Sequence, residues 1–195
     1  DEEFSLHGLT RIGGVKSARQ LLQLPCSLQR LELSCLFNQS LAQVNFPRNI
    51  KTMKFGSCFD QSLDGVTLPA GLQTLIFGRD FNQSLDGVTL PAGLQTLELN
   101  YSCKFNQSLD GVALPAGLQT LSLGTKFNQT LNRVTLPAGL QTLTLGGEFN
   151  HSLDGVTLPA GLQTLTFGDE FNHSLDGVAL PAGLQILTFG RKFSQ

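Results

Sequence analysis

Several residue types that often mark a functional class are scarce in this sequence of 195 residues. Tryptophan is absent, tyrosine occurs once, and only 14% of the residues are charged, with a formal net charge of -2. No basic stripe is present to bind a nucleic acid backbone, and no apolar run approaches the ~18 residues that span a bilayer. We therefore expect neither a nucleic acid partner nor a membrane-spanning segment.

The patterns of catalytic and cofactor sites are also lacking. An active site brings unlike groups together in one pocket. The sequence offers no nucleophile–base pairing, no glycine-rich phosphate loop before a helix and no isolated acid pair. The four cysteines contain no C-x-x-C spacing, which argues against a zinc site. The sequence therefore predicts a protein that is not an enzyme, with no catalytic residue, no cofactor and no metal.

What the sequence does contain is an internal repeat of 22 residues, with one step of 24 that includes Asn100–Cys103. All 8 prolines fall in one register, and each is followed by an L-x-x-L-x-[LF] run or a close variant of it. A phenylalanine, usually followed by asparagine, marks every repeat: Phe37, Phe59, Phe81, Phe105, Phe127, Phe149, Phe171 and Phe193. Periods of 20–50 residues are typical of solenoids.

One repeat, residues 72–91, shows how each coil is built. Thr74–Phe77 alternates outward and inward as a short strand does, and Asp86-Gly87 is a strong turn dipeptide. About seven apolar side chains then line the inside of the coil. Their burial stabilises by roughly 10–20 kcal/mol, whereas ordering the coil costs on the order of 30 kcal/mol. Stability must therefore come from stacking.

We predict a mainly β solenoid over residues 25–195, in a right-handed leucine-rich-repeat-like coil of about eight turns with one parallel sheet on its strand face. Residues 1–24 lack the repeat and are expected to form an N-terminal cap, with a short amphipathic helix over residues 15–22. The sequence stops in mid-repeat at Phe193-Ser194-Gln195. We expect an open apolar end there that binds a partner or self-associates.

The L-x-x-L-x-[LF] run followed by G-x-x-F-N resembles the leucine-rich repeat superfamily. The F-G-x-x-F-N core at residues 77–82 and 167–172 is most similar to the FNIP-type repeats of protist proteins. The resemblance covers about residues 25–195 and implies a curved solenoid and an inward asparagine ladder that bonds the loop backbones. Asp60 interrupts this ladder, whose implied members are Asn38, Asn82, Asn106, Asn128, Asn150 and Asn172. The resemblance implies the fold strongly and function hardly at all.

Two outward columns of the strand face are the candidate binding surface. Its residues are Thr52, Lys54, Thr74, Ile76, Thr96, Glu98, Thr120, Ser122, Thr142, Thr144, Thr164, Thr166 and Thr188. Threonine is a good strand residue and pairs with itself across neighbouring strands, which is a purely structural explanation. The alternative is a flat array of hydroxyl and methyl groups that binds a partner.

Other columns have a structural explanation beside a functional one. The aspartates of the Asp-Gly turns cap their own turns or, less simply, form part of a Ca²⁺ site. His151 and His173 form an exposed polar ladder, or they share a metal or sense pH. Cys35 and Cys58 are free thiols, or they form a disulfide in an oxidising compartment. Seven N-x-[ST] matches fall mostly on the asparagine ladder and are by-products of the repeat, which favours the cytoplasm or an organelle over secretion.

These observations predict a non-enzymatic protein–protein interaction or scaffold module, in one form an accessory subunit of a larger assembly. The start at Asp1-Glu2-Glu3, without methionine, suits a processed chain. The partner is expected to be a protein that binds the strand face or the open C-terminal end. The alternative is an ice-binding protein, because the pairs Thr142/Thr144 and Thr164/Thr166 resemble the T-x-T faces of repetitive antifreeze proteins. The near absence of tyrosine and tryptophan argues against carbohydrate recognition.

Overall fold

The computed structural model describes residues 8–195, in which nine short strands form one parallel sheet in chain order. The strands are β1 Arg11–Val15, β2 Arg30–Leu33, β3 Thr52–Lys54, β4 Thr74–Phe77, β5 Thr96–Leu99, β6 Thr120–Ser122, β7 Thr142–Thr144, β8 Thr164–Thr166 and β9 Ile186–Thr188. One 3-10 helix, Ala18–Gln23, is the only helix of the described residues. The molecule is thus a parallel β-solenoid of about eight turns, as the repeat predicts. Within residues 8–195, no helix has the length and apolar character needed to cross a membrane.

Each strand pairs with the equivalent residues of the next coil. Thr74 lies beside Thr96, and Leu75 lies beside Leu97. The 22-residue coil is itself the crossover connection that a parallel pair requires. The two extra residues between β5 and β6 do not disturb this register, since Thr96 still pairs with Thr120. The insertion is therefore absorbed in the loop that follows β5.

The core is one continuous cluster that runs through the coils. In the repeat at residues 72–91, all seven predicted inward side chains are 8% exposed or less. They are Leu72, Leu75, Phe77, Phe81, Leu85, Val88 and Leu90. No polar or charged residue of the described chain is buried with them. The predicted apolar interior is confirmed.

The phenylalanine row shows that the stack is curved. Ring centroids of Phe105 and Phe127 are 6.1 Å apart, whereas those of Phe55 and Phe77, next to the strands, are 4.9 Å apart. Hydrogen-bonded strands are separated by about 4.8 Å. The coils therefore spread apart away from the sheet, so the sheet lies on the inner side of the bend.

The N-terminal region differs from the sequence prediction. Residues 11–15 form a strand that pairs with β2, with an irregularity between Ile12 and Val15, and the predicted amphipathic helix is a 3-10 helix that begins at Ala18. Gly13 and Gly14 interrupt the apolar alternation of this strand, so its pattern was not recognised. Leu21 is 1% exposed, and the Ala18 amide donates to the side chain of Gln39 at 2.7 Å. Residues 1–7 of the predicted cap lie outside the described residues.

Candidate interaction surface

The two outward columns lie in two in-register rows across the sheet. The first row runs from Arg30 through the threonines to Ile186. The second row runs from Glu32 through Lys54 and Ile76 to Thr188. All predicted surface residues occupy these rows, and most are half-buried, with Lys54 and Thr188 exposed. The structure thus brings together the side chains that the sequence columns predicted as neighbours.

The charges of the second row are concentrated in its first four strands. Arg30 Nε donates to Glu32 Oε1 at 2.8 Å, and Arg11 lies 3.3 Å from the same oxygen. The hydrogen bond from Arg30 holds the pKa of Glu32 below its usual value. Lys54 and Glu98 form no ion pair with residues 8–195 and flank Ile76 on either side. Lys54 lies beside Glu32, and its charge also helps to lower the pKa of Glu32. The row therefore presents a cation, an apolar side chain and a carboxylate in three successive strands after Glu32.

The loop after β5 carries a highly exposed aromatic side chain three residues after Glu98 of the second row. Tyr101 is 80% exposed and lies within the two-residue insertion. The Cys103 amide donates to the Asn100 carbonyl at 2.7 Å, and the Lys104 amide donates to the Arg79 carbonyl at 2.7 Å. The loop is thus held firmly on both sides of Tyr101. The two-residue insertion is visible in the sequence, but the column pattern does not predict that Tyr101 belongs to the surface.

Charged side chains and a buried thiol anchor the same loop. Lys104 Nζ lies 2.9 Å from Asp80 Oδ1, and the hydrogen bonds of Lys104 and Arg79 hold the pKa of Asp80 below its usual value. The Cys103 thiol donates to the Phe81 carbonyl at 3.3 Å, and burial raises the pKa of Cys103. The loop is therefore preorganised with Tyr101 in solvent.

The asparagine ladder exists, but it lies at the surface. Asn106 Oδ1 accepts the Asn128 amide at 2.9 Å and Gln129 Nε2 at 3.0 Å, and the same pattern recurs along the stack. All of these asparagines are exposed or half-exposed, so the expected inward orientation is wrong. Asp60 does not interrupt the ladder, because its Oδ1 accepts the Asn82 amide at 2.8 Å. An oxygen acceptor is all that this position requires.

The remaining columns form local structure. In the Asp-Gly turns the serine two residues earlier accepts the aspartate amide, as Ser84 does from Asp86 at 3.0 Å. The capping group is therefore the serine hydroxyl rather than the aspartate carboxylate. His151 and His173 place Nε2 3.0 and 2.9 Å from the carbonyls of Asn128 and Asn150.

No group of three or more potential metal ligands occurs within residues 8–195. The four cysteines are free thiols: Cys26 and Cys35 are exposed, Cys58 is half-buried and Cys103 is buried. Throughout the stack, repetition places like groups in rows rather than bringing unlike groups together. What this geometry offers is an extended contact surface.

A match to a protein family agrees with this repeat architecture. The FNIP Repeat family model matches residues 37–80, 105–148 and 149–195, which is more than half of the chain. Among curated proteins, none matches the chain. A crystal structure of CroV588, described as a novel circular LRR protein, is 29% identical with a TM-score of 0.45 and covers 88% of this chain. The chain in turn spans 35% of that protein's length.

Proposed function

The chain belongs to the FNIP repeat family, and from this membership we propose that it is a non-enzymatic protein–protein interaction or scaffold module. The partner binds the outward face of the sheet. The supporting observation is the in-register sheet, which aligns the outward side chains of eight successive coils in two rows. One form of this function is that of an accessory subunit in a larger assembly.

The dimensions of the rows support a macromolecular partner. Eight strands at about 4.8 Å make a row roughly 34 Å long, which matches about ten residues of extended chain. The half-buried threonines offer methyl groups for packing and hydroxyl groups for hydrogen bonds. Repeat proteins commonly use the inner face of such a curved stack as an extended binding surface. The repetition of like groups in rows supports binding rather than catalysis.

Ice binding is a second candidate, based on the threonine pairs. The T-x-T pair is complete only in β7 and β8, and the curvature of the stack departs from the flat surface that an ice plane presents. These features favour a protein partner. Thermal hysteresis measured at micromolar protein tests the alternative, and ice-crystal shaping by the folded chain would support it.

We also propose that residues 1–24 cap the solenoid of residues 25–195. Within the described part of the cap, Val15 and Leu21 are 4% and 1% exposed and pack on the first coil. The strand β1 pairs with β2 and so covers an edge that would otherwise expose unpaired backbone groups.

An affinity-capture experiment with matched variants tests the interaction function. Thr74→Arg/Thr96→Arg places two cations on the strand face, and Thr67→Arg/Thr89→Arg places two cations at exposed positions outside it. We expect the unmodified chain and the second variant to capture the same partner from an extract of the source material, and the first variant to lose it. Retention by the first variant would exclude the strand face. Absence of any partner for the unmodified chain would reject the interaction function.

A further inference from the structure

The strand face differs in chemistry between the two halves of the stack. From residue 62 onward, the segment S-L-D-G-V-[TA]-L-P-A-G-L-Q recurs almost unchanged, with T-L-N-R in one coil. Variation is concentrated in the second outward row and in the loop that follows each strand. Ser122, Thr144 and Thr166 show that small hydroxyl side chains satisfy the fold in this row. Larger or charged residues in the same row are therefore not explained by the fold.

Four such residues occur in consecutive strands: Glu32, Lys54, Ile76 and Glu98. Glu32 is already paired with Arg30 and Arg11, and the other three follow it in the row. Lys54 pairs with Ile76, and Ile76 pairs with Glu98. At one strand spacing of about 4.8 Å per step, the positions of Lys54 and Glu98 are about 10 Å apart. Neither side chain forms a salt bridge within residues 8–195. Lys54 does lie beside Glu32 in the neighbouring strand, and its charge helps to lower the pKa of Glu32. A ligand that complements them must present an anionic and a cationic group at that separation, with an apolar group between.

The insertion after β5 carries an exposed aromatic side chain three residues after Glu98. Tyr101 follows Glu98 by three residues and is 80% exposed. Its loop is tied to the neighbouring coil, because the Tyr101 carbonyl accepts the Thr125 amide at 2.7 Å. An aromatic side chain on an ordered loop loses little conformational entropy on binding, and such residues are enriched among energetically important interface contacts. Insertions in repeat proteins commonly fall on the binding face.

We propose that coils two to four, which contain strands β3, β4 and β5, bind an extended peptide segment of a protein partner. The segment carries an acidic residue opposite Lys54, an apolar residue on Ile76 and a basic residue opposite Glu98, and one end of it packs against Tyr101. In an extended chain of the polyproline II type, residues three positions apart lie on one side at about 9 Å, which matches the separation of the two charges. The apolar residue between them projects to the side and contacts Ile76 at its flank. This inference rests on the proposed function and assigns partner selection to the N-terminal half of the strand face.

Selection from a library of random dodecapeptides against the full chain tests the inference. The affinities of the enriched peptides are then measured by fluorescence anisotropy for the unmodified chain and for two variants. Lys54→Glu/Glu98→Lys exchanges the charges, and Thr144→Glu/Thr166→Lys is the matched control in the same row of later coils. Circular dichroism and urea unfolding establish that both variants are folded.

We expect the enriched peptides to share an acidic and a basic residue three positions apart with an apolar residue between them. The exchanged variant should bind them about tenfold more weakly, and the control variant should bind them within about twofold. Exchanging the acidic and basic residues of the peptide should restore binding to the exchanged variant. Tyr101→Ala should weaken binding about fivefold or more.

The remaining outcomes separate this inference from the general function. Loss of binding in the control variant alone, or in both variants, overturns the assignment to coils two to four and leaves the strand-face function standing. Binding that neither variant weakens, or failure to enrich any peptide, overturns this inference, and the affinity-capture experiment with Thr74→Arg/Thr96→Arg then decides the proposed strand-face function separately.

Discussion

At the scale of single residues, glycine decides how closely successive coils approach. A Cβ atom added to Gly146 would lie 2.1 Å from the Gly124 carbonyl oxygen, and the same contact recurs at Gly78 and Gly168. No side chain can occupy these positions without separating the backbones of adjacent coils. Gly161 differs, because an added Cβ atom would make an ordinary contact of 3.5 Å with the Ala138 carbonyl oxygen.

Gly146→Ala should therefore lower the free energy of unfolding by about 2–4 kcal/mol through overpacking. Gly161→Ala is the matched control and should leave stability unchanged or raise it by up to about 1 kcal/mol, because alanine restricts the unfolded chain. Urea unfolding followed by circular dichroism measures both effects. Equal stability of the two variants would show that the close approach of the backbones at Gly146 leaves room for a side chain.

The cysteines should differ in reactivity because their side chains differ in burial. Cys103 is buried and its pKa is raised by burial, whereas Cys26 and Cys35 are exposed. At pH 8 we expect a thiol-reactive disulfide reagent to label Cys103 about 100-fold more slowly than the two exposed thiols. Mass spectrometry of labelled peptides at timed intervals gives the three rates. Similar rates for all three would contradict the burial of Cys103.

The raised pKa of Cys103 also has a consequence for stability. The buried thiol favours the folded state while it is protonated, so its contribution is complete below the pKa of the unfolded chain. As the pH rises from about 8.5 toward the raised value in the folded state, this stabilisation falls. Cys103→Ala should reduce this part of the alkaline loss of stability.

At the scale of structural elements, the surface ladder joins each coil to the next. Every rung provides one side-chain oxygen that accepts a backbone amide of the following coil, and Asp60 does this as well as asparagine does. The glutamine of the following coil commonly donates to the same oxygen, as Gln83 does to Asp60 at 2.9 Å. The rung thus requires an acceptor of suitable length rather than a buried amide.

Asn106→Ala should lower the free energy of unfolding by about 1–2 kcal/mol, because it removes an acceptor shared by two donors. Asn106→Asp keeps the oxygen and should remain within about 0.5 kcal/mol of the unmodified chain. The two variants are compared by thermal and urea unfolding at neutral pH. A large loss for both would mean that the amide nitrogen of Asn106, rather than its oxygen, is the important group.

At the scale of the whole molecule, the stack is quasi-one-dimensional, since each strand packs against its sequence neighbours alone within residues 8–195. A side chain in the centre is covered from both sides, and one in the last strand is covered from one side. Leu121 in β6 is fully buried, whereas Leu187 in β9 is 36% exposed. Stability should therefore be greatest in the middle coils.

Leu121→Ala should lower the free energy of unfolding by about 3–5 kcal/mol, and Leu187→Ala should lower it by about 1 kcal/mol because less apolar surface is lost. Native-state hydrogen exchange should show the slowest amides in β4–β7 and faster exchange in β1 and β9. Uniform protection of the amides from β1 to β9 would contradict the expectation that stability is a sum of interactions between neighbouring coils.

Much of the architecture follows from the 22-residue repeat of the sequence. Because the chain from β2 onward returns to the sheet after 22 residues in every step but one, equivalent residues such as Thr74 and Thr96 fall side by side whatever the detailed path of the loop. The seven inward side chains of residues 72–91 are predictable for the same reason, as are the members of the two outward rows. The strand at residues 11–15 was missed because Gly13 and Gly14 leave no alternation to recognise, and its pairing depends on β2.

The sequence by itself determined the period, the inward and outward columns and the parallel order of the strands. Only the tertiary structure decided that the asparagine ladder lies at the surface, that serine hydroxyls hold the Asp-Gly turns, and that Tyr101 stands in solvent on an anchored loop. The period specifies which residues share a row, because it is the number of residues from one strand to the next and can be counted in the sequence. Exposure and hydrogen-bond partners depend instead on distances between coils, which are set by packing across the stack.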